Sequence, residues 1–295
     1  MGKRANVGGG RLEFIPPQIP TPVEQPPEDE GWVHEVKFEG YRTQIIIDRG
    51  RVRLYSKNGH DWTAKYWPIA LAVELRCKAA ILDGEVIVTG KQGAAYFPAL
   101  EAAIWNEPSR LEFVAFDILH LDGRDLAPLP LLQRKRALWQ LVEPGIGKIQ
   151  YSEHFESDAL AIFHAVETMG LEGIISKRAD SGYRSGPSKT WLSAKYFQEA
   201  DFELLGVVRE PGTDPMALMA IRHGDRRYLG SAIIPLNQSI RDRLWQRVTK
   251  MAGPQPKGIK TPGVQWVKPG LVCRVRYLKG EGPFRHATLM DVWED

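Results

Sequence analysis

The stretch Glu35-Val36-Lys37-Phe38-Glu39-Gly40-Tyr41-Arg42 is the one around which the rest of this chain is organised. Residues 32–36 follow a period of two, which predicts a strand over residues 32–38. Gly40 then permits a tight bend, with Lys37 before it and Arg42 after it. An amine and a guanidinium that face one point suit an anionic ligand such as a phosphate. For these eight residues alone, a surface strand and turn with solvated charges is the favoured interpretation.

Length and composition indicate an ordinary globular protein. The chain has 295 residues, enough for two domains, of which 43% are hydrophobic and 25% charged. No apolar run reaches the length of a membrane span, and no apolar segment follows the basic N-terminus, so we expect neither membrane association nor a secretion signal. Cys77 and Cys273 lie far apart and in no metal-binding spacing, which favours a reducing, cytosolic compartment.

Basic residues are concentrated in the last third of the chain. From residue 200 onward there are 15 Lys and Arg against 10 Asp and Glu, whereas the first 199 residues carry 24 and 26. This excess indicates a surface that faces a polyanion. An ordinary solvated surface explains so small an excess equally well.

The pattern of elements predicts an α+β fold in two domains. Residues 1–31 form a Pro- and Gly-rich arm that favours an extended, polyproline-like course. The pattern of predicted elements changes at residues 198–201, a predicted domain boundary that we call the seam. Beyond it, some five short strands and one helix suit a small β-barrel such as an OB fold. We therefore predict domains at 1–198 and 199–295, with a hinge at the seam. The expected strands are 32–38, 43–48, 51–56, 80–88, 113–121, 173–177, 191–197, 202–208, 217–222, 227–234 and 271–278, and the expected helices are 65–76, 97–105, 131–142, 157–169 and 237–250.

Several short segments carry side chains suited to nucleotide chemistry, although the chain has no Walker A sequence, HExxH, GxSxG or cysteine cluster. Asp83-Gly84-Glu85 places two acids in an apolar strand, which is costly unless cations meet them; a simple hairpin turn is the alternative. Phe116 suits stacking on a base, although a core position is the commoner use of such a residue. Glu172, Lys177 and Lys195 lie at strand ends, where ordinary solvated charges are also expected.

The order of these segments resembles that of a known superfamily. Lys37 to Arg42 resembles the Lys-x-Asp-Gly-x-Arg nucleophile motif of the covalent nucleotidyltransferases, which include ATP-dependent DNA ligases, RNA ligases and mRNA-capping enzymes. Segments 56–59, 83–85, 113–117, 172–177 and 191–195 follow in the superfamily's order. Finer matches, over nearly the whole chain, indicate ATP-dependent DNA ligases and among them the ligase domain of bacterial end-joining DNA ligase D and its stand-alone relatives. They are Phe14-Ile15-Pro16-Pro17, Gly31-Trp32, Phe116 to Gly123, Ser181 to Gly186, and Phe284-Arg285-His286.

The resemblance implies that Lys37 attacks the α-phosphate of ATP and holds AMP as a phosphoramidate. A lysine near its reference pKa of about 10.4 is protonated at neutral pH, so its neighbours must favour the free amine. Glu85 and Glu172 are implied to contact the ribose or a Mg²⁺ ion, for which Mn²⁺ is a substitute. Lys177 and Lys195 are implied to contact the α-phosphate.

Further residues are implied to bind the nucleoside. Arg42 is expected at the ribose, Phe116 on one face of adenine and Ile175 on the other. Glu35 is expected to accept a hydrogen bond from the adenine amino group, which distinguishes ATP from GTP. Lys57 is also expected among the ATP-binding residues.

The implied product is a sealed DNA strand, since AMP passes to a DNA 5′-phosphate and a 3′-hydroxyl then displaces it. The expected partner is nicked or broken double-stranded DNA, bound mainly through its backbone phosphates. Ku-type end-joining proteins are a candidate partner, the expected state is a monomer in the bacterial cytosol, and the expected role is DNA repair. The expected DNA-contacting residues are Arg274, Arg276, Lys279 and Arg285.

The chain departs from the family pattern at three positions. Glu39 stands in place of an aspartate, and Ser193 in place of the first lysine of a Lys-x-Lys pair. Trp293 stands where an arginine that orients pyrophosphate is expected, and the accompanying lysine position lies beyond the last residue. One hypothesis is that loading of the nucleophile is slow, or that Arg285 or Lys279 substitutes as the cation.

These departures keep other functions open. A catalytically impaired homologue that binds nicks or ends would explain the missing cations. An mRNA-capping guanylyltransferase or an RNA ligase would use the same nucleophile motif, although Glu35 and the segments similar to ligase D argue against a capping enzyme.

Overall fold

The chain divides into two compact units, Met1–Lys195 and Tyr196–Asp295. The structure is a computed structural model, and it describes residues 11–90, 95, 97–142, 147–210, 212–222, 226–235, 237–278 and 285–295. Within these ranges no helix combines the length and the apolar character that a bilayer crossing requires.

The first unit is built from strands and short helices. Its strands are β1 (Gln18–Val23), β2 (Trp32–Val36), β3 (Tyr41–Asp48), β4 (Arg51–Ser56), β5 (Ala79–Ile87), β6 (Glu112–Leu121), β7 (Arg124–Asp125), β8 (Ile149–Tyr151), β9 (Gly173–Arg178) and β10 (Gly186–Lys195). Its helices are α1 (Trp67–Leu71), α2 (Phe97–Asn106), α3 (Leu131–Val142) and α4 (Ala159–Thr168), with a 3-10 turn at Pro108–Arg110.

Two sheets share a core in this unit. The smaller has the strand order β1-β10-β9-β2; the larger has the order β4-β3-β5-β6-β7, and β8 pairs with β6. The run Ile45-Ile46-Ile47 of β3 is buried on both faces, because Ile45 and Ile47 pack with the helices' apolar core while Ile46 packs with Phe116 and Trp191. Trp191 belongs to the smaller sheet, so its ring joins the two sheets.

Strand β5 runs without interruption through Asp83-Gly84-Glu85, so the hairpin turn that this sequence allowed is wrong. Gly84 is required for close packing, because a Cβ there would lie 2.3 Å from Cζ of Phe113 and 2.4 Å from the carbonyl oxygen of Val114. Asp83 and Glu85 alternate with Leu82 and Val86 and lie on the opposite face of the strand from the apolar core.

Other elements of the first unit differ from their predicted bounds. Helix α1 spans only Trp67–Leu71 rather than 65–76, since of its side chains only Pro68 and Ile69 are buried. Helix α4 begins at Ala159 rather than at residue 157, because Asp158 caps it: the Asp158 carboxylate accepts from the amides of Leu160 and Ala161. The N-terminal arm contributes β1, which pairs in parallel with β10.

The second unit contains one sheet and one helix in its described part. Its elements are β11 (Phe197–Val208), β12 (Met216–Ala220), β13 (Tyr228–Ile233), α5 (Gln238–Lys250), β14 (Val264–Trp266), β15 (Leu271–Leu278) and β16 (Arg285–Glu294). The strand order is β12-β13-β16-β15-β11-β14, and β11 also pairs with β12, so the pairings of five strands form a closed ring. Leu244 and Val248 anchor α5 in the core of this unit.

Two features of the second unit differ from the sequence pattern. Residues 198–201, the predicted seam, lie within β11 and pair with β15, and the division into compact units falls between Lys195 and Tyr196. Strand β16 was not predicted, because a register shift breaks its period of two: Ala287, Leu289 and Val292 are the buried residues.

Gly40 is needed for space rather than for a left-handed backbone, since its φ is not among the positive values. A Cβ at Gly40 would lie 2.2 Å from the carbonyl oxygen of Val86 and 2.7 Å from Cγ of Glu85. Gly40→Ala should therefore separate β3 from β5 and lower the free energy of unfolding by about 3 kcal/mol.

Gly50→Ala is the matched control, because Gly50 has a φ of +73° but nothing within 4 Å of its Cβ position. The control should lose only about 1 kcal/mol, the cost of a left-handed alanine. Urea unfolding of both variants measures the difference, and a Gly40→Ala protein no less stable than the control would contradict this explanation.

Candidate active site

A carboxylate with two lysines lies where β2, β9 and β10 meet. Glu172, directly before β9, accepts from Lys37 Nζ at 2.5 Å through Oε2 and from Lys195 Nζ at 2.9 Å through Oε1. The Lys37 amide donates to the carbonyl oxygen of Gly173 at 2.9 Å, which fixes the nucleophile candidate against β9. Burial raises the pKa of Glu172, but Lys37 and then Lys195 outweigh it and hold the pKa below its usual value. The cluster therefore keeps one ionised carboxylate between two cations.

Glu85 lies beside this cluster in a different state. Burial raises its pKa to about 7, against the opposing effect of Lys37 and Arg42, and the negative charges of Glu172 and Asp83 add to the rise. None of the residues that the structure describes donates a hydrogen bond to the Glu85 carboxylate. This carboxylate is available to a ligand.

Of these groups, Lys37 and Glu85 line a cavity of about 150 Å³. Its polar lining consists of Glu35, Lys37, Arg42, Glu85 and Lys177. Its apolar lining consists of Pro20, Val36, Phe38, Phe116, Ile175 and Trp191. An apolar wall with a few charged groups at the ends suits a flat ring that carries a charged chain.

The far end of the cavity is defined by Glu35, which is buried in a network of donors. Its Oε1 accepts from Lys135 Nζ at 2.9 Å and from Lys177 Nζ at 2.8 Å, and its Oε2 accepts from the Ser152 hydroxyl at 2.9 Å. Burial raises the pKa of Glu35, but Lys135 and Lys177 outweigh it and lower the pKa overall. Burial lowers the pKa of Lys177 to about 8. Glu35 is therefore an ionised acceptor that lines the cavity beside Lys177 and the apolar side chains.

Arg42 is held rigidly by Asp83. Its Nε and Nη2 donate to the two Asp83 oxygens at 2.7 Å and 2.6 Å, and the Tyr183 hydroxyl donates to the same carboxylate at 2.5 Å. The guanidinium carbon lies 4.5 Å from the centre of the Phe116 ring. The bidentate pair explains why an aspartate is tolerated inside β5.

Most of the predicted nucleotide-binding residues come together. Lys37, Glu85, Glu172 and Lys195 form the charged end, while Glu35, Arg42, Phe116, Ile175 and Lys177 line the cavity. Lys177 belongs to the Glu35 end: its Nζ lies 4.5 Å from the Phe116 ring centre and 4.4 Å from that of Trp191. Lys57 is exposed in the turn after β4 and is not among the cavity-lining residues.

The predicted DNA-contacting residues are only partly described. Arg274 donates to both oxygens of Asp201 at 2.9 Å and 3.3 Å, and Arg276 lies 4.5 Å above the Phe197 ring. Lys279 lies outside the described residues, as does the side chain of Arg285. Trp293, the departure from the family pattern, lies within β16, and its ring centre is 5.5 Å from the Arg274 guanidinium.

Ser193 and Trp191, on the same face of β10, both bury polar atoms. Ser193 Oγ and Trp191 Nε1 have no hydrogen-bond partner among the described residues. Ser193 therefore places a buried hydroxyl oxygen without a described hydrogen-bond partner in the same strand as Lys195, two residues before it.

Sequence reasoning missed Lys135, Ser152, Tyr183 and Pro20. A signal for Lys135 exists in the helix pattern: the buried positions of α3 are Leu131, Arg134, Lys135, Leu138 and Val142, a helical stripe that includes two cations. Buried cations need acidic partners, and these two bind Asp117 and Glu35.

Comparison with known proteins shows the family of this chain. The family model described as "ATP dependent DNA ligase domain" matches residues 21–195. The multifunctional non-homologous end joining protein LigD of Pseudomonas aeruginosa is 30% identical over 316 aligned positions, which cover 99% of this chain and 37% of that protein. The corresponding LigD of Mycobacterium tuberculosis is 29% identical and covers 87% of this chain and 35% of that protein. The chain thus spans little more than a third of the length of these relatives.

Solved structures show the same fold. The structure titled "mycobacterial DNA ligase D complexed with ATP and MES" is 28% identical, covers 95% of each chain and superposes with a TM-score of 0.56. The ligase domain of M. tuberculosis LigD is 26% identical, covers 94% of each chain and gives a TM-score of 0.57. The nucleotidyltransferase-like ligase fold, with mixed helix and strand content, is therefore confirmed. By sequence and by fold, this chain belongs to the ATP-dependent DNA ligase domain family.

Proposed function

We propose that the chain is an ATP-dependent DNA ligase that acts through a lysyl-AMP intermediate on Lys37. The observation that carries this proposal is the position of Lys37, which lines the cavity and whose amine is paired with Glu172, the carboxylate that Lys195 also contacts. Glu172 Oε2, at 2.5 Å, is the nearest acceptor for a proton of the Lys37 ammonium. The free amine then forms a nitrogen–phosphorus bond with the α-phosphorus as the bond to pyrophosphate breaks.

The remaining two steps transfer and release AMP. An oxygen of the DNA 5′-phosphate attacks the α-phosphorus, and the bond to Lys37 Nζ breaks. The 3′-hydroxyl then loses its proton and attacks the activated 5′-phosphate, and AMP leaves. Lys195, beside the other oxygen of Glu172, is the protein cation that we assign to the charge developing on the α-phosphate.

We assign the nucleoside to the rest of the cavity. Phe116 and Ile175 flank the base, Glu35 accepts from its amino group, and Arg42, fixed by Asp83, faces the ribose. Lys177 lies 2.8 Å from Glu35, so we place it at the base and leave the α-phosphate to Lys195. The mycobacterial relative bound to ATP supports this occupant.

Glu85 and Glu172 are the residues that we propose for a divalent metal ion. The fit rests on the donor set: an ionised Glu172, and a Glu85 carboxylate that no described residue hydrogen-bonds. Hard oxygen donors suit Mg²⁺, and Mn²⁺ as a substitute. When bound, the ion supplies charge neutralisation next to the phosphates.

We propose that the second unit is an OB-type barrel that clamps duplex DNA. The closed ring of strand pairings and the basic excess after residue 200 support this assignment. In this proposal the domains meet between Lys195 and Tyr196. The names of the relatives favour end-joining repair, with Ku-type proteins as partners of a monomeric enzyme in the bacterial cytosol.

Incubation with ATP and Mg²⁺ should add one AMP to the chain, measured by intact mass. Lys37→Ala should abolish the adduct, because no other amine replaces the attacking group. Lys78→Ala, an exposed lysine, is the control and should load normally. Absence of an adduct from any nucleotide, with no sealing of pre-adenylated nicks, would contradict the proposal and favour a nick-binding protein.

Glu85→Gln should change stability in a pH-dependent way. The folded-state pKa of Glu85, about 7, exceeds the ordinary value of 4.5, so the folded form loses stability as pH rises from about 4.5 to about 7. At pH 8 without nucleotide or metal, the variant should be more stable than the wild type by up to about 3 kcal/mol, and near pH 4.5 the two should be equal.

Denaturant unfolding at both pH values measures this effect, with Glu74→Gln, an exposed acid, as the control. Added Mn²⁺ should stabilise the wild type more at pH 8 than at pH 6, and should stabilise the Glu85→Gln protein less. A variant as sensitive to Mn²⁺ as the wild type would remove Glu85 from the metal site.

Arg276→Ala should weaken binding to nicked DNA and reduce the slope of log affinity against log salt by about 1. Arg274→Ala should have a smaller effect, because Asp201 already compensates that charge. Fluorescence anisotropy over a salt series measures both, with Arg110→Ala of the first unit as the control. Equal affinity and slope for wild type and Arg276→Ala would place the DNA elsewhere.

A further inference from the structure

The single negative charge of Glu35 is paired with two positively charged lysines. Lys135 and Lys177 both donate to its Oε1, and the two lysine side chains and the carboxylate are at most 2% exposed. The charge of the nearby Asp117 acts to raise the pKa of Lys177, but Asp117 makes its ion pair with Arg134, whose Nε and Nη2 donate to it at 2.8 Å and 2.9 Å. One lysine suffices to neutralise Glu35, and a second buried charge costs free energy. The second lysine therefore requires a role other than charge balance.

The two lysines occupy different places. Lys177 lines the cavity together with Glu35, whereas Lys135 and Ser152 are not among its described lining residues. Lys135 reaches Glu35 from α3 and also donates to the carbonyl oxygen of Ser152 at 2.9 Å. The Ser152 hydroxyl donates to Oε2 of Glu35 at 2.9 Å. Lys135 and Ser152 thus hold the Glu35 carboxylate by hydrogen bonds without lining the cavity themselves. Their own hydrogen bond connects α3 to the residue that follows β8.

The hydrogen bonds leave Glu35 with a defined remaining capacity. A carboxylate accepts about four hydrogen bonds. Oε1 takes two lysines and Oε2 takes the serine, so one acceptor position stays open on Oε2. An exocyclic amino group of a purine satisfies that position. A carbonyl oxygen in the same place faces a negative charge without a proton between them.

We propose that Lys135 and Ser152 are positioning residues that hold the Glu35 carboxylate so that one lone pair of Oε2 reads the 6-amino group of the nucleotide base. The assignment rests on the proposed function, since it requires ATP in this cavity. In this proposal, selection of the base depends on the hydrogen bond from Lys135 of α3 to Glu35 of β2, although Lys135 itself does not contact the nucleotide.

The test compares nucleotides with and without that amino group. Rates of adduct formation on Lys37 are measured with ATP and with purine riboside triphosphate, which lacks the 6-amino group, and with GTP. Lys135→Met keeps the length of the side chain and leaves Glu35 paired with Lys177, so a buried one-to-one ion pair remains. Arg136→Met, the exposed neighbour on α3, is the matched control.

In the wild type ATP should react faster than purine riboside triphosphate by roughly tenfold, the worth of one hydrogen bond to a charged group. Lys135→Met should reduce this ratio toward one and raise KM for ATP more than it lowers kcat. Lys135→Arg should restore most of the ratio, and Arg136→Met should leave it intact. Ser152→Ala, a smaller change that tests the same hold on Glu35 should Lys135→Met fail to fold, should shift the ratio in the same direction.

The outcomes separate the two proposals. If Lys135→Met and Ser152→Ala slow both nucleotides equally and leave the ratio unchanged, the two residues are structural only and the positioning role is wrong. If the wild type forms no adduct with any nucleotide, the proposed function itself fails and the base-reading role fails with it.

Discussion

The Glu172 carboxylate between Lys37 and Lys195 is the interaction on which the arrangement of the site depends. Its two oxygens join the residue that follows β2 to the last residue of β10, at 2.5 Å and 2.9 Å. This geometry requires the glycine next to it: Gly173 has a φ of +150°, and a Cβ there would lie 2.1 Å from the Ala194 carbonyl oxygen. Only glycine lets β9 approach β10 closely enough for one carboxylate to reach both lysines.

Three glutamates of the site differ because their surroundings differ. Glu35 and Glu172 each hold two lysines within 2.9 Å, and in both the pKa is lowered despite burial. Glu85 has cations nearby but no direct hydrogen bond from a described residue, and burial raises its pKa to about 7. Glu35 and Glu172 therefore carry a fixed negative charge, while Glu85 changes its charge near neutral pH.

Local sequence signals predicted much of this fold and failed where contacts are distant in sequence. The apolar runs around Phe113 and Leu271 and the helical stripe of α3 appear at the expected bounds, because each is a regular, uninterrupted pattern. Strand β16 was missed since a bulge changes the spacing of its buried residues, and residues 198–201 look like a linker yet pair with β15. The motif order singled out Lys37 and Glu172, whose side chains the structure brings into contact, but it gave no partners for Glu35, since these lie 100, 117 and 142 residues away.

The different environments of Asp83 and Glu85 follow from the register of the strands, which the sequence does not show. They lie on one face of β5, and the pairing of β3 with β5 puts Arg42 opposite Glu85. The guanidinium nevertheless reaches diagonally to Asp83, where two parallel hydrogen bonds and the Tyr183 hydroxyl hold it. Since Arg42 is committed to Asp83, Glu85 keeps its oxygens free beside Lys37. The sequence shows two equivalent carboxylates, and the structure distinguishes them, because Arg42 pairs with Asp83 and no described residue donates a hydrogen bond to Glu85.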